Sequence, residues 1–587
     1  MKALAALALA ACAAWGQGIA SRGVKPQAKP KASGIPWHAK FTNIAPQAGL
    51  TQVLHYGGTE KSDYVLETSS GGVAIFDYDN DGRMDIFLVV GSKIENPPPD
   101  AVSRLYRNLG ELKFEDVTKK AGLWREPGWA QGAAIGDYNN DGCMDLFVTY
   151  WGDNALYRNN CDGTFTDVAE KAGLLPSPRP KVPRWGAGAT FVDIDRDGFL
   201  DLYVSNYIDL DLSQTPKPGE NPNCNWKGVP VSCGPRGLKT ARHWLYRNRG
   251  DGTFEDISAK AGIAKYDKSF GMSAVAFDVD EDGWQDIYNA CDSTPSLLFR
   301  NNGDLTFTEE GIERGIALND DGMEQAGMGL GIGDVNLDGR LDIFKTHFAD
   351  DTHVLYVNDG KGMFRDITLK AGIGVETRRV GWGTGIYDFD HDGLPDIFIG
   401  TGCVYPETEA ALPAYPYKTP PMLFRNLGDA RFELLEEEAG PAMLEKHSVR
   451  GVGFGDLDND GDIDIVLWNR NETPSLLRND LSAEGRNWLL LRLEGTKSNR
   501  GAFGARVVLE YGGKRQARAV LSQSSFYSAN DPRVHFGLGA AAKARATVFW
   551  PSGAAEVFEI EQVNREVVLK EGAGRAAGSM APAQSLP

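Results

Sequence analysis

Seven times the chain repeats one arrangement of oxygen donors, Asp-x-Asp/Asn-x-Asp-Gly-x-x-Asp. The first copy places Asp77, Asp79, Asp81 and Asp85 at positions one, three, five and nine of a nine-residue loop. The others carry Asp137, Asn139, Asp141 and Asp145; Asp193, Asp195, Asp197 and Asp201; Asp278, Asp280, Asp282 and Asp286; Asp334, Asn336, Asp338 and Asp342; Asp388, Asp390, Asp392 and Asp396; and Asp456, Asp458, Asp460 and Asp464. Glycine at position six permits the sharp bend that turns these side chains inward, as in the first half of an EF-hand loop. The carbonyl of position seven, Arg83 in the first copy, is a further candidate ligand. Hard, carboxylate-rich sites without imidazole favour Ca²⁺ over Mg²⁺, which keeps its waters. An EF-hand itself is excluded, because no Glu stands at position twelve and the flanking residues read as strands.

Asp and Asn at turns also bond their own backbone, and a single copy would need no other explanation. Seven copies do, because carboxylates crowded into one turn repel unless a cation neutralises them. The formal net charge is −19, and the loops hold 26 aspartates, so the rest of the chain is net positive. The acidity is therefore concentrated in the loops. The expectation is about seven Ca²⁺ ions, one per repeat, with a structural role and affinities of roughly 10⁻⁴ to 10⁻³ M, as in exported modules.

The loops recur at spacings of 60, 56, 85, 56, 54 and 68 residues. Each follows a Gly-rich apolar run such as Trp129–Gly136 and precedes a short apolar strand such as Leu146–Tyr150. A Leu-Tyr-Arg-Asn signature comes next, as at 105–108, and then a Phe-acid pair before an Ala-Gly turn. This is four short strands per unit with no helical periodicity, the content of a propeller blade. Insertions at 206–243 and 403–421 account for the two long spacings and leave each blade at the end opposite its Asp loop. The chain enters the repeats at Phe41-Thr42-Asn43, the closing part of a unit, while the seventh unit stops at Leu476-Leu477-Arg478-Asn479. A ring in which the first strand completes the last blade exposes no strand edge.

The fold class predicted is thus all-β: a seven-bladed β-propeller over 39–482 with a calcium loop in every blade, then a small β-sandwich-like domain over 485–572. Residues 1–16 read as a signal peptide, with an apolar run over 3–14, although Leu9-Ala10-Ala11-Cys12 also resembles a lipobox that would tether the protein. Residues 17–38 read as a linker, and 573–587, rich in Ala, Gly and Pro, as a disordered tail. No stretch is long enough for a transmembrane helix. An exported monomer is expected, periplasmic, secreted or on the cell surface. Six cysteines beyond Cys12 suit an oxidising compartment. Cys224 and Cys233 flank a short loop and Cys143 and Cys161 straddle a turn, so both are candidate disulfides; Cys291 and Cys403 read as free thiols.

An acidic chain argues against a nucleic-acid partner. No Gly-x-Ser-x-Gly, His-Glu-x-x-His, phosphate-binding or dinucleotide motif is present. His347 and His353 form the one closely spaced His pair and read as surface polar residues, while His535 and Trp550 read as core. Paired acids for glycoside hydrolysis would be masked by the loop aspartates. The candidate ligand face is formed by the two insertions, which bring Tyr207, Trp226, Arg236, Arg242, Tyr405, Tyr415 and Tyr417 together. Aromatics with Arg suit a protein or glycan partner; the competing reading is that they only pack the insertions down.

The Asp loops and their Gly-rich strands resemble the FG-GAP/VCBS repeats of integrin α-subunit propellers. The segments Gly501-Ala502-Phe503-Gly504-Ala505-Arg506, Ser524-Ser525-Phe526-Tyr527-Ser528, His535-Phe536-Gly537-Leu538-Gly539 and Trp550-Pro551-Ser552-Gly553 resemble the ASPIC/UnbV domain. In that order the two are similar to the cartilage acidic protein family, from about Phe41 to Gly572, and the resemblance extends to Cys233-Gly234-Pro235-Arg236-Gly237 in the third unit. One departure is Gln523-Ser524-Ser525-Phe526-Tyr527, where an ASPIC/UnbV segment carries Gly-x-Ser-Tyr. The resemblance implies calcium binding and extracellular interaction, hence a binding or adhesion module; an enzyme working at the propeller mouth and a passive surface scaffold are the alternatives.

Overall fold

The computed structural model describes residues 18–482 and 485–577. The signal-peptide and lipobox readings, Cys12 included, lie outside the described residues. Among those described, seven four-stranded antiparallel sheets follow one another along the chain. The first comprises Val73–Phe76, Asp85–Leu88, Arg104–Asn108 and Phe114–Asp116. The last comprises Val449–Gly455, Asp464–Asn469, Ser475–Asn479 and, from the other end of the chain, Phe41–Asn43. Phe41 faces Asn479 and Asn43 faces Leu477 in that closing pair. First strands of successive sheets touch, and the first strand of the seventh touches that of the first, so the propeller-like ring is closed. The Gly-rich runs make this approach possible. A Cβ on Gly385 would lie 2.6 Å from the Phe454 ring, and one on Gly453 would lie 2.7 Å from Val73.

A second ring of contacts holds the blades together. The Asn of each Leu-Tyr-Arg-Asn signature donates its side-chain amide to the carbonyl of position two in the preceding blade's Asp loop. Asn159 reaches Tyr78, Asn248 reaches Tyr138 and Asn301 reaches Ile194. Asn358, Asn426 and Asn479 reach Val279, Val335 and Phe389, and Asn108 closes the circle on Leu457.

The C-terminal region contains a three-stranded sheet of Val534–Gly539, Asn487–Glu494 and Glu566–Lys570, the last pair parallel. A five-stranded sheet adds Lys514–Ala519, Arg506–Tyr511, Ala544–Phe549, Ala555–Ile560 and Arg575–Ala576. Arg575 and Ala576, expected within a disordered tail, instead pair with Val557 and Glu556. The stretch read as a linker is also ordered where described. Val24 N–H donates to Asp350, Gln27 N–H donates to Gly374, and Arg22 pairs with Asp351 at 2.7 Å, so it straps several blades.

Between its two sheets the C-terminal region sends residues 522–531 down the axis of the ring, where they bond the first strand of all seven blades. Ala529 exchanges hydrogen bonds with Val73 and Ile75, and the Tyr527 and Ser522 carbonyls accept from Ala133 and Ile135. Gln523 Oε1 and Ser522 Oγ accept from Ala189 and Phe191, and Tyr527 N–H donates to Ser273 Oγ. Ser525 pairs with Leu330 and accepts from Thr384, and Asn530 accepts from Phe454. Innermost strands have no further neighbour, and buried N–H groups left unpaired there would cost about 1–3 kcal/mol each. This axial plug provides their partners. Ser525 and Tyr527 adopt positive φ, 56° and 53°, to reach both sides of the channel.

Candidate metal centres and the surfaces around them

Three of the four repeated acids do different work. Position nine is occupied by backbone in every blade: one carboxylate oxygen accepts from the N–H of position two, the other from the signature Asn. Asp85 takes Tyr78 and Asn108, Asp145 takes Tyr138 and Asn159, and Asp396 takes Phe389 and Asn426. The same pairs recur at Asp201, Asp286, Asp342 and Asp464. Position one folds the loop: Asp77 accepts from Asp81 and Gly82, as Asp388 does from Asp392 and Gly393. Each such oxygen retains a lone pair for a cation.

Position three is different. Asp79, Asp195, Asp280 and Asp390 each keep one buried carboxylate oxygen with no hydrogen-bond partner, as does Asp193 at position one. Ligand oxygens of Asp77, Asp79 and Asp85, of Asp193, Asp195 and Asp197, of Asp278, Asp280 and Asp282, and of Asp388, Asp390 and Asp396 lie within 4.8 Å of one another. Buried anionic oxygens facing each other with no donor are what a divalent cation would satisfy. In the loops with Asn at position three the amide instead bridges to position five, Asn139 to Asp141 at 2.7 Å and Asn336 to Asp338 at 2.9 Å. Burial pushes the carboxyls of Asp85 and Asp145 up to about 8 and those of Asp193, Asp278 and Asp456 to about 7. Arginines offset part of the charge: Arg107 lies 2.7 Å from Asp79 and Arg247 lies 2.6 Å from Asp195. Both come from the Leu-Tyr-Arg-Asn signature, whose role at the loop was not evident from its spacing.

The C-terminal sheets lie against this loop face. Ala517 N–H donates to Asp334, Arg533 to the Asp456 carbonyl and Lys514 to the Asp392 carbonyl, while Arg486 pairs with Asp390 at 2.8 Å. Coverage is uneven. A groove of about 820 Å³ separates Asp77, Asp137 and Asp197 from the C-terminal residues Arg492, Lys497, Arg500 and Lys570. A disulfide joins Cys143, at position seven of the second loop, to Cys161 in the adjoining turn.

The opposite face corrects one expectation. The insertions do meet: Trp226 packs on Tyr405, Tyr415 and Phe348 at ring separations of 5.9, 5.1 and 5.4 Å. They are not presented to a ligand, however, since Tyr207, Trp226, Tyr405 and Tyr417 are only 1, 3, 3 and 7% exposed. Tyr207 donates to the buried Asp292, and Tyr417 accepts from Arg470. Tyr415 is half-buried, and Arg236 and Arg242 pair with Glu324 and Asp256. Apolar rings on two neighbouring insertions bury each other before they serve a partner. A second disulfide, Cys224–Cys233, closes the blade-three insertion; Cys291 and Cys403 are free and buried. His347 and His353, expected at the surface, are instead fully buried, because backbone groups meet one nitrogen of each ring: His353 Nδ1 accepts from the His347 N–H and His347 Nδ1 bonds the Thr352 carbonyl.

A family profile described as FG-GAP-like repeat matches residues 77–148, 137–204, 240–289, 278–345 and 334–399, and one described as ASPIC and UnbV matches residues 495–576. Cartilage acidic protein 1 of Mus musculus is 26% identical over 529 residues, covering 85% of this chain and 72% of the mouse protein. The Homo sapiens protein of that name is 26% identical over 516 residues, covering 82% and 69%. Among solved structures, an Agrocybe aegerita lectin described as recognising non-reducing terminal N-acetylglucosamine aligns at 16% identity and TM-score 0.34, covering 62% of this chain and 79% of that one. BBS1N in complex with ARL6DN aligns at 11% identity and TM-score 0.39, covering 73% and 96%.

Proposed function

Because the chain belongs to the FG-GAP-like repeat proteins that end in an ASPIC and UnbV segment, we propose that it is an exported, calcium-stabilised propeller serving as a protein- or glycan-binding module in adhesion. The observation that carries the calcium reading is the unpartnered, buried position-three oxygen in four of the Asp loops. Asp77 to Asp85 and their counterparts in the six later loops hold the ions, about seven in all, and the ions fix the loop ends of the blades. Two disulfides support an oxidising compartment. No helix among the described residues is long and apolar enough to cross a membrane.

The groove of about 820 Å³ beside the first three loops is the binding surface we favour, since the insertion aromatics are buried. Its Arg and Lys residues, facing loops whose ions would be partly open to solvent, suit an acidic protein segment or acidic glycan. The test is capture of partners from an extracellular extract on immobilised protein, in millimolar Ca²⁺ and in chelator, with Arg500→Glu as comparison. Capture that needs Ca²⁺ and is lost in R500E supports the reading. Calorimetry showing no Ca²⁺ uptake by chelator-stripped protein would overturn its calcium part, and unchanged capture by R500E would overturn the groove.

A further inference from the structure

Two loop residues break the repeat at one place. Position four holds Asn, Arg, Glu or Leu in the other loops but His391 in the sixth, and position seven is acidic only in the seventh, as Asp462. These two residues sit at the junction of blades six and seven, with His391 Nε2 3.7 Å from Asp462 Oδ1. His535, from the C-terminal sheet, lies beside His391, its ring centre 5.1 Å from that of His391. Both rings are buried, 1% and 2% exposed. His391 Nε2 and both nitrogens of His535 have no hydrogen-bond partner.

Three orphaned imidazole nitrogens in one buried spot would cost several kcal/mol if nothing met them, at about 1–3 kcal/mol each. Imidazole stacking alone does not remove that cost. The packing is deliberate rather than loose. Gly537, two residues beyond His535 on the same strand, lies so close to the sixth loop that a Cβ would stand 1.9 Å from Asp388 Oδ2 and 2.8 Å from the His391 Cα. Position-four residues elsewhere reach the position-six carbonyl of the next loop, as Asn80 reaches Gly142 and Asn140 reaches Gly198. Burial disfavours the charged form of both His391 and His535, and the nearby backbone of Gly461, the corresponding position-six residue, offsets part of that effect at each ring. A backbone carbonyl beside a ligating imidazole is the usual second partner that sets its tautomer.

We propose that His391, His535 and Asp462 form a site for one divalent transition-metal ion, Zn²⁺ by default, distinct from the all-oxygen loops. Two imidazoles on one tetrahedral ion, with Zn–N of about 2.0–2.1 Å, bring their ring centres to about 5 Å, which is the separation found. Imidazole selects Zn²⁺, Cu²⁺ or Ni²⁺ over Ca²⁺, so the loops and this site do not compete for one metal. The ion would pin the C-terminal sheet to two adjacent blades.

The test uses the full chain, stripped of metal and then held in millimolar Ca²⁺ so that the Asp loops are filled. Co²⁺ is titrated in as the probe, and Zn²⁺ is added to displace it. One equivalent of Co²⁺ with the intense visible bands of a four-coordinate, nitrogen-ligated ion, bleached by Zn²⁺, is expected. His535→Gln and His391→Gln should each lower Co²⁺ affinity at least about a hundredfold, since even outer-shell partners are worth about 10–100-fold, while Ca²⁺ uptake stays unchanged. Should a variant not fold, the unmodified chain still decides. A Co²⁺ spectrum no different from that of the aqueous ion, or full Co²⁺ affinity in a folded H535Q, overturns the site; a failure to take up Ca²⁺ bears only on the loop reading.

Discussion

The second and sixth Asp loops share their acids at positions one, five and nine and the glycine at six, yet sit in very different surroundings. In the second, Asp141 is exposed and Asp137 borders the groove. In the sixth, Asp388 and Asp390 are 2% and 1% exposed, His535 lies over the loop, and Arg486 and Lys514 close over its rim. What sets the surroundings apart is the C-terminal region laid upon the sixth loop. An ion held by the second loop would exchange with solvent directly; one in the sixth would leave only after the covering sheet moved.

The largest effect should come from the device that holds this cover in place. Phe526 is fully buried in the axial plug, edge-on to Trp382 at 4.9 Å and stacked on Tyr527 at 4.0 Å. Phe526→Ala should destabilise the fold by about 3–5 kcal/mol, read from denaturant midpoints, and should speed ion release from the sixth loop toward that of the second. Equal destabilisation with the difference in release intact would place the cover's grip elsewhere.

Next in size is a contrast within one loop. Asp85→Ala strands two buried N–H groups, at about 1–3 kcal/mol each, and should weaken the protein even in chelator. Asp79→Ala, by contrast, should leave stability in chelator nearly unchanged and remove one Ca²⁺ equivalent from a calorimetric titration. If both variants behave alike in chelator, positions nine and three do not divide the work as described.

A smaller effect is kinetic and needs no mutation. Mixing the calcium-loaded protein with excess chelator should give at least two phases, the fast one from the loops beside the groove and the slow one from those under the C-terminal sheets. A single phase would mean the cover opens faster than any loop releases its ion.

The smallest expected signal is protonic. In the metal-free fold, burial raises carboxyls such as Asp85 and Asp145 from an ordinary 3.8 to about 8. The folded chain then holds more protons than the unfolded one between those values, so metal-free stability falls as pH rises through that window. A Ca²⁺ ion held by the loops would displace those protons, so its affinity should weaken as pH falls through the same range. Calorimetry in buffers of different ionisation enthalpy should detect proton release on Ca²⁺ binding near pH 6 and little above about 8. The same release at both pH values would contradict the sign.

Much of the architecture is legible along the chain because repeats write it several times over. Seven acidic turns, the signature before each third turn and the split unit at Phe41 and Asn479 point to a closed ring without knowledge of any neighbour. The aromatic insertions misled because composition marks Trp226 and Tyr405 as suitable for a ligand, while only their mutual packing reveals that they are spent on each other. The stretch over 17–38 looked like a linker for the opposite reason: its polar, Pro-containing sequence has no period, and its bonds to Asp350 and Gly374 are visible only once those carbonyls are brought alongside.

From the amino acids alone came what local chemistry dictates: oxygen donors at fixed spacing, the glycines that bend the loops and let the inner strands converge, and the number of times both occur. Tertiary structure decided what depends on distant segments arriving at one point. Residues 522–531 carry no repeat and no strong pattern, yet they bond all seven inner strands because a closed ring leaves one axis on which every unpaired backbone group converges. His391, Asp462 and His535 stand 71 and 73 residues apart in the sequence, and nothing in their neighbours announces that folding will bury three imidazole nitrogens together.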